Sequence, residues 1–578
     1  MKKYTNEKNA QILIAILKAN GIKKVVVSPG ATNISIVYSM MNDGSFEMYS
    51  AVDERGAAYI ACGLSSESGE PVVITCTGAT ASRNYFPGLT EAYHRKLPIL
   101  AITASQDFAR EGNLSPQFID RTEHPKDSLR ESVQIPIIRS KDEEYECALK
   151  INKAVLELFR HGGGPVHINI ASEYSNDFSV LELPMVPIIR RIGFEDDFPS
   201  IAKKERIAIV VGTHKKWEQE LIDLVDEFCA IYNAVVLVDH SSHYWGKYRI
   251  LSTIITSQEQ HKTELFDIDL LIHIGEEHGD YYTDAALIMG VKEVWRVSED
   301  GEIRDAYRKL TNTFEMSEKA FFKHYVGEYK EDVCNRHEYF DEIKAEAQKI
   351  YNAIPELPFS NIWLAQQIIP RFPIGACLEL GVSNTMRAWT FFDFPQETYV
   401  LANTGCRGID GAIPTVLGMA LANPSKLHYA VMGDLTFFYS FNVLGNRHIG
   451  NNIRILLVNN GTGCEFHNYQ HRAYQIYEGN HEELDKYTAA GKQTGSRSKE
   501  LVRHYAEDLG FRYLTASDKE EFCANLPEFL DNKMDKSIIF EVFTDEIDES
   551  NALKMVRNAE IDLSKKVKNK IKKVLGRE

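Results

Sequence analysis

MGDLTFFYSFNVLGNRHIGNNIRILLVNNGTG, residues 432–463, holds two buried-strand patterns that each end on polar residues. The apolar run 428–432 stops at Met432, turns at Gly433 and puts Asp434 where a strand meets a helix. A second run, 454–459, delivers Asn459 and Asn460 into a glycine-rich turn. Two short apolar strands joined through a helical stretch predict parallel neighbours, whose carboxyl ends open onto one crevice. A carboxylate, an amide oxygen and a backbone carbonyl gathered there are hard oxygen donors that suit Mg²⁺ and leave positions for a diphosphate. Gly461 and Gly463 let the backbone come close to phosphate oxygens. Taken singly, Asp434 reads as a helix cap and Asn460-Gly461 as a turn. The pairing is what favours an ion site.

Two stretches outside this core carry matching signals. In YSAVDERGAAYIACGL, residues 49–64, Asp53 is a natural N-cap and Glu54 falls in the first helical turn. Alone, that glutamate is a capping charge stabilising by about 0.5–1 kcal/mol. In ANTGCRGIDGAIPTVLGMALA, residues 402–422, Gly405, Gly408 and Gly411 form a loop of close approaches around the bulky Ile409. The spacing is Gly-x-x-Gly-x-x-Gly, which does not fit a dinucleotide fingerprint. Gly212 is followed by Thr213 and His214, so the middle of the chain lacks that fingerprint too. A nicotinamide- or flavin-linked oxidoreductase is thereby disfavoured.

Strand-like runs at 22–28, 47–52, 71–77, 97–103 and 164–170 alternate with helical segments, which predicts a mainly parallel sheet covered on both faces. An irregular, proline-bearing stretch at 181–204 reads as a linker. Strands at 206–211, 234–239 and 270–275 begin a second α/β domain, and a charged helical stretch spans 317–354. Strands at 377–380, 398–402, 428–432, 454–459 and 537–543 make a third. The expected domains are 1–180, 200–345 and 357–550, followed by a basic amphipathic tail at 551–578, read as a solvated terminal helix. The fold class is α/β, three consecutive doubly wound domains with mainly parallel sheets.

At 578 residues the chain exceeds what one core supports. A net charge of −17 argues against nucleic acid as a partner. No apolar run reaches the roughly 20 residues of a membrane span. The first residues show helical periodicity without a small-residue cleavage site, so a folded helix is expected rather than a signal peptide. The nine cysteines are scattered, with no C-x-x-C pair and no ligand-like spacing, so neither structural zinc nor a disulfide framework is expected and a reducing cytoplasm fits best.

Together these segments resemble the thiamine-diphosphate decarboxylase and carboligase superfamily. Within it they look most like the 2-succinyl-5-enolpyruvyl-6-hydroxy-3-cyclohexene-1-carboxylate synthases of menaquinone biosynthesis. The resemblance runs over about 9–175 and 357–545, through VSPGAT, VDERGAAYIACGL, TGATASRNYFPGLTEAYHRKLPIL, GPVHINI, NTGCRGIDG and the GDL…VNN pair. It implies a pyrimidine-binding, a central and a diphosphate-binding domain, with thiamine diphosphate and Mg²⁺ as cofactors. It implies that Glu54 hydrogen-bonds to N1′ of the aminopyrimidine, favouring the tautomer that takes the C2 proton, and that Ile409 props the cofactor in its bent shape. Asp434, Asn460 and the carbonyl of Thr462 are then the metal ligands, and Ser383, Gly408, Asp410, Gly433 and Leu435 join the cofactor site. A homodimer or homotetramer is implied, with Glu54 acting across a subunit boundary.

Three positions depart from the synthase pattern. Thr32 stands where an arginine follows S-P-G, Ser105-Gln106-Asp107 replace Asp-Arg-Pro, and Thr404 replaces an arginine before the glycine loop. Threonine and glutamine do not reproduce bidentate carboxylate recognition. Arg387 remains, and Arg407 and Arg83 occupy positions usually held by small residues. The expectation is therefore a paralogue that decarboxylates a 2-oxo acid and joins the product to an aldehyde or ketone acceptor other than isochorismate. Arg387, Arg407 and Arg83 are its candidate substrate residues, with Arg387 on the donor carboxylate. His94, His467 and Glu465 are candidate proton relays. The alternatives are the menaquinone-pathway synthase itself, from 2-oxoglutarate and isochorismate, and a non-catalytic cofactor-binding scaffold.

Overall fold

The computed structural model describes residues 3–260, 263–328, 336–488 and 498–560. Most of the basic tail, from 561 on, lies outside the described residues. The chain divides into two compact units, Met1–Asp196 with Gly301–Thr313, and Asp197–Asp300 with Phe314–Glu578.

The first unit is built on a six-stranded sheet. Its order is Glu47–Ser50, Lys24–Val27, Val72–Thr77, Ile99–Ser105, Val166–Ala171, Glu131–Ile135, and every pairing is parallel. Successive side chains of a strand point to opposite faces, and the core divides accordingly. Val25, Val73, Leu100 and Ile102 pack with helices Lys8–Ala19 and Lys141–Glu157, while Val26, Ile74, Cys76 and Ala101 pack with helices Glu54–Ser68 and Phe86–Arg95. The last two helices cross closely: a Cβ on Gly88 would meet the Ala58 Cβ at 2.5 Å. The amino-terminal periodicity is realised in Lys8–Ala19, which presents eight buried residues.

The second unit holds two sheets. In one, Arg249–Leu251, Ala234–Val238, Ile207–Val211, Leu270–Ile274 and Val294–Ser298 pair in parallel in that order. In the other the order is Tyr399–Ala402, Cys377–Leu380, His428–Gly433, Ile453–Asn459, Ile538–Phe543, Arg512–Ala516, again parallel throughout. Numbered within each sheet, both six-stranded sheets read 2-1-3-4-6-5. Each thus has a switch point between its first and third strands, where α/β sheets bind ligands outside the carboxyl ends.

One core residue breaks the apolar pattern. Glu379 is fully buried in Cys377–Leu380, and neither of its carboxylate oxygens has a hydrogen-bond partner among the described residues. Burial pushes its carboxyl up to about 8. The folded state therefore holds a proton that the unfolded chain has released above pH 4.5 or so. Stability should fall with pH between about 4.5 and 8, by up to about 1.4 kcal/mol per unit from this group. Glu379→Leu should flatten that slope, measured as denaturation midpoints at pH 5 and pH 8. An unchanged slope would show that the carboxyl is solvated.

Candidate active site

The switch point of the second six-stranded sheet lies between the ends of Cys377–Leu380 and His428–Gly433, and a cavity of about 220 Å³ opens there. Ser383, Ile409, Gly433, Asp434, Leu435 and Asn460 all line it. Strand His428–Gly433 runs directly into helix Asp434–Ser440, so the Asp434 side chain is fixed at the junction, 7 % exposed. Its Oδ1 accepts from the backbone N–H of Leu435 at 2.8 Å. Burial pushes its carboxyl up to about 6, while the N–H groups of Leu435, Gly461 and Gly463 hold it down. A buried carboxylate held up in this way, with no basic side chain against it among the described residues, is an environment that a cation relieves.

The neighbouring strand, Ile453–Asn459, supplies the opposite wall. The Asn460 Oδ1 accepts from the backbone N–H and the hydroxyl of Thr462, at 3.2 and 3.1 Å. Asn459 is tied away from the cavity by a 2.6 Å bond from its Nδ2 to Glu541. Gly461 and Gly463 have φ of 72° and 65°, the left-handed region that a side chain would strain. Ser383 takes φ 65° with a side chain, at the end of Cys377–Leu380. Such strain at a ligand cleft is a mark of positioning. Gly408 sits under the Asp410 carboxylate, which a Cβ would meet at 2.8 Å. The donors fit Mg²⁺ and a diphosphate. The cavity is smaller than the roughly 300–1,000 Å³ that encloses a whole drug-sized ligand.

Glu54 belongs to the other unit. Asp53 caps its helix, accepting from the N–H groups of Arg55 and Gly56 at 3.2 Å each. The Glu54 side chain is half-buried, and its Oε2 accepts from Asn84 Nδ2 at 3.2 Å. Asn84 lies in the TGATASRNYFPGL stretch beside Arg83, but on a different helix from Glu54, so the sequence alone does not pair it with that carboxylate.

The candidate arginines separate. Arg387 makes a bidentate pair with Glu465, at 2.9 and 2.8 Å, beside the cavity that Glu465 lines. Arg407 lies over the Tyr281 ring at 3.9 Å. Arg83 is in the first unit and donates to the Asp120 carbonyl at 3.0 Å. His94 is exposed, and His467 is fully buried against His481 and Asp485. Because the Arg387–Glu465 pair is largely desolvated, Arg387→Met should lower stability by about 2–3 kcal/mol. Adding Glu465→Leu should recover most of that loss. Denaturant titration of the two variants reads it, and additive losses would show that the pair is not coupled.

At each of the three departing positions a side chain makes a hydrogen bond within the protein. The Thr32 hydroxyl donates to the Ala104 carbonyl at 2.7 Å, Thr404 pairs with Thr213 at 2.7 Å, and Gln106 accepts from Arg110 at 2.5 Å. The first unit also holds an arginine that the sequence did not single out. Arg121 is 4 % exposed and donates to Ser82 and Asn169, at 3.1 and 2.9 Å, and to the Gly78 carbonyl, with no carboxylate partner among the described residues.

Comparison with known proteins agrees with the two sheets. Residues 7–130 match the thiamine pyrophosphate enzyme N-terminal TPP binding domain, and residues 381–542 match the corresponding C-terminal TPP binding domain. A 2-succinyl-5-enolpyruvyl-6-hydroxy-3-cyclohexene-1-carboxylate synthase of Bacteroides thetaiotaomicron is 29% identical over 95% of this chain and 98% of its own. Synthases of the same name from Flavobacterium psychrophilum and Porphyromonas gingivalis are 28% and 24% identical, over 93% and 95% of this chain. These relatives overturn the expected paralogue with a different acceptor. Proteins of that one name cover 93–95% of the chain, whereas the expectation rested on three substituted positions whose side chains are hydrogen-bonded within the protein. With both cofactor-binding domains in place, the chain belongs to the thiamine-pyrophosphate-dependent enzymes.

Proposed function

We propose that this protein is a 2-succinyl-5-enolpyruvyl-6-hydroxy-3-cyclohexene-1-carboxylate synthase, using thiamine diphosphate and Mg²⁺ to join 2-oxoglutarate, with loss of CO₂, to isochorismate. The observation that carries the reading is the switch-point cavity with Asp434 and Asn460 on its walls, in a chain aligned over 95% of its length with a synthase of that name. Asp434, Asn460 and the Thr462 carbonyl hold the metal, Ser383, Gly408, Asp410, Gly433 and Leu435 surround the diphosphate, and Ile409 supports the ring system. Bound there, the cofactor supplies an electron sink for the carbon that loses CO₂. Glu54 holds a proton at the aminopyrimidine. The small cavity supports a site completed by Glu54 of a second copy, so the working unit is a homo-oligomer.

Both substrates are polyanions, and a guanidinium matches a carboxylate in a bidentate fork. Arg387 already sits in such a fork, and the donor carboxylate takes the place of Glu465. Arg121, charged and lacking an acid partner, stands in for the arginines absent at Thr32 and Gln106. The donor side is tested by CO₂ release from a panel of 2-oxo acids with isochorismate present. 2-Oxoglutarate should exceed pyruvate by about 10²-fold or more, because a site built for the second carboxylate is left with unpaired groups by an acid that lacks one. Equal rates would remove the donor assignment.

A further inference from the structure

The segment after the cofactor cavity carries a second cluster of metal-ligating side chains. Cys464–His467 is a short 3₁₀ turn whose Glu465 and Phe466 line the cavity, and His467 at its end is fully buried. The His467 Nε2 is 3.0 Å from Asp485 Oδ1, and its Nδ1 is 2.7 Å from the Nδ1 of His481. The two ring planes lie 14° apart with centroids separated by 4.9 Å, so the rings face each other edge to edge, nitrogen to nitrogen. Glu546, in the first turn of helix Glu546–Arg557, brings a carboxylate oxygen to the same point. The three ligand atoms of His467, His481 and Glu546 all lie within 4.8 Å of one another.

The tautomer follows from the acid. An ionised Asp485 only accepts, so the hydrogen of a neutral His467 sits on Nε2 and the Nδ1 lone pair is bare. A carboxylate behind a histidine, setting which nitrogen is free, is the arrangement that supports imidazole ligands in metal sites. His481 aims its own Nδ1 at that lone pair. Without an ion the two nitrogens share a single hydrogen. With one, both lone pairs converge, and the nitrogens open to about 3.4 Å for tetrahedral bonds of about 2.0–2.1 Å. Two imidazoles and one carboxylate suit a divalent first-row transition ion, whereas Mg²⁺ prefers oxygen alone.

We propose that His467, His481 and Glu546 form a second metal site, for Zn²⁺ or a chemically similar ion, that ties the wall of the cofactor cavity to helices His481–Thr488 and Glu546–Arg557. This site is separate from the Mg²⁺ position at Asp434 and does not depend on which substrates the enzyme joins. An ion here fixes the turn that presents Glu465 to Arg387. A zinc site on cysteines is not part of it: Cys464 is buried in the turn but is not among the three ligands.

The test uses the full chain, stripped with chelator and then held in excess Mg²⁺ with thiamine diphosphate, titrated calorimetrically with Zn²⁺. Wild type should take up one equivalent with a transition ion still displacing no Mg²⁺, and Co²⁺ should give the visible absorption of a tetrahedral nitrogen–oxygen site. His481→Gln should weaken Zn²⁺ binding at least tenfold while thiamine diphosphate affinity in Mg²⁺ stays unchanged. Asp485→Asn, which alters only the outer partner, should weaken it by about 10–100-fold. If His481→Gln does not fold, Glu546→Gln reads the same loss. No Zn²⁺ uptake by wild type, or uptake indifferent to these variants, overturns the site and leaves His467 and His481 as a hydrogen-bonded pair.

Discussion

Glu54→Gln should bind thiamine diphosphate with wild-type affinity and turn over about 10²–10⁴-fold more slowly, the range that a positioned proton-transfer group contributes. The substitution keeps the shape, the cap at Asp53 and a polar partner for Asn84, so the first unit stays intact. What it removes is a carboxylate able to hold a proton at the aminopyrimidine. Steady-state kinetics beside a calorimetric binding curve separates the two properties. A variant that loses affinity and rate together would make Glu54 a binding residue. One that keeps its rate would leave it as a helix-capping charge only.

Asp434→Asn has the opposite signature. The carboxyl is buried and pushed up to about 6, so the apo protein bears its charge at a cost. An amide of the same shape should leave the apo melting temperature unchanged or higher. Affinity for thiamine diphosphate with Mg²⁺ should fall by about 10²-fold or more, beyond the 10–100-fold that the loss of an outer partner brings. Because a ligand held at 100 times its Kd stabilises the fold by about 2.7 kcal/mol, the wild type should melt higher with cofactor and the variant should not. A variant that melts much lower without cofactor would make Asp434 a structural cap.

The cavity wall was legible because its signals are local. Asp434 and Asn460 follow apolar runs whose length marks buried parallel strands, and the same runs put them at adjacent strand ends. One edge strand of each six-stranded sheet was not legible, although the opposite edges, Glu47–Ser50 and Tyr399–Ala402, were. Glu131–Ile135 and Arg512–Ala516 are each the last strand of a six-stranded sheet, half exposed and mixed in polarity, so no apolar run announces them. Pairings between distant segments were hidden for a different reason. Arg387 and Glu465 are 78 positions apart, and only the shared wall of the cavity brings their side chains together. Arg121 is a case of the same kind, since its partners come from two separate parts of the first unit, the helix start at Gly78 and Ser82 and the strand at Asn169. The substrate assignment failed at the sequence level because absent arginines were read as a changed substrate, while such a charge can be delivered from another segment.

The most direct test of the whole account is formation of 2-succinyl-5-enolpyruvyl-6-hydroxy-3-cyclohexene-1-carboxylate from isochorismate and 2-oxoglutarate by the purified protein, with thiamine diphosphate and Mg²⁺. The account predicts one product and one CO₂ per isochorismate consumed, and neither when Glu54→Gln replaces the wild type over the same interval. Cofactor bound and 2-oxoglutarate decarboxylated, but isochorismate left untouched, would contradict it.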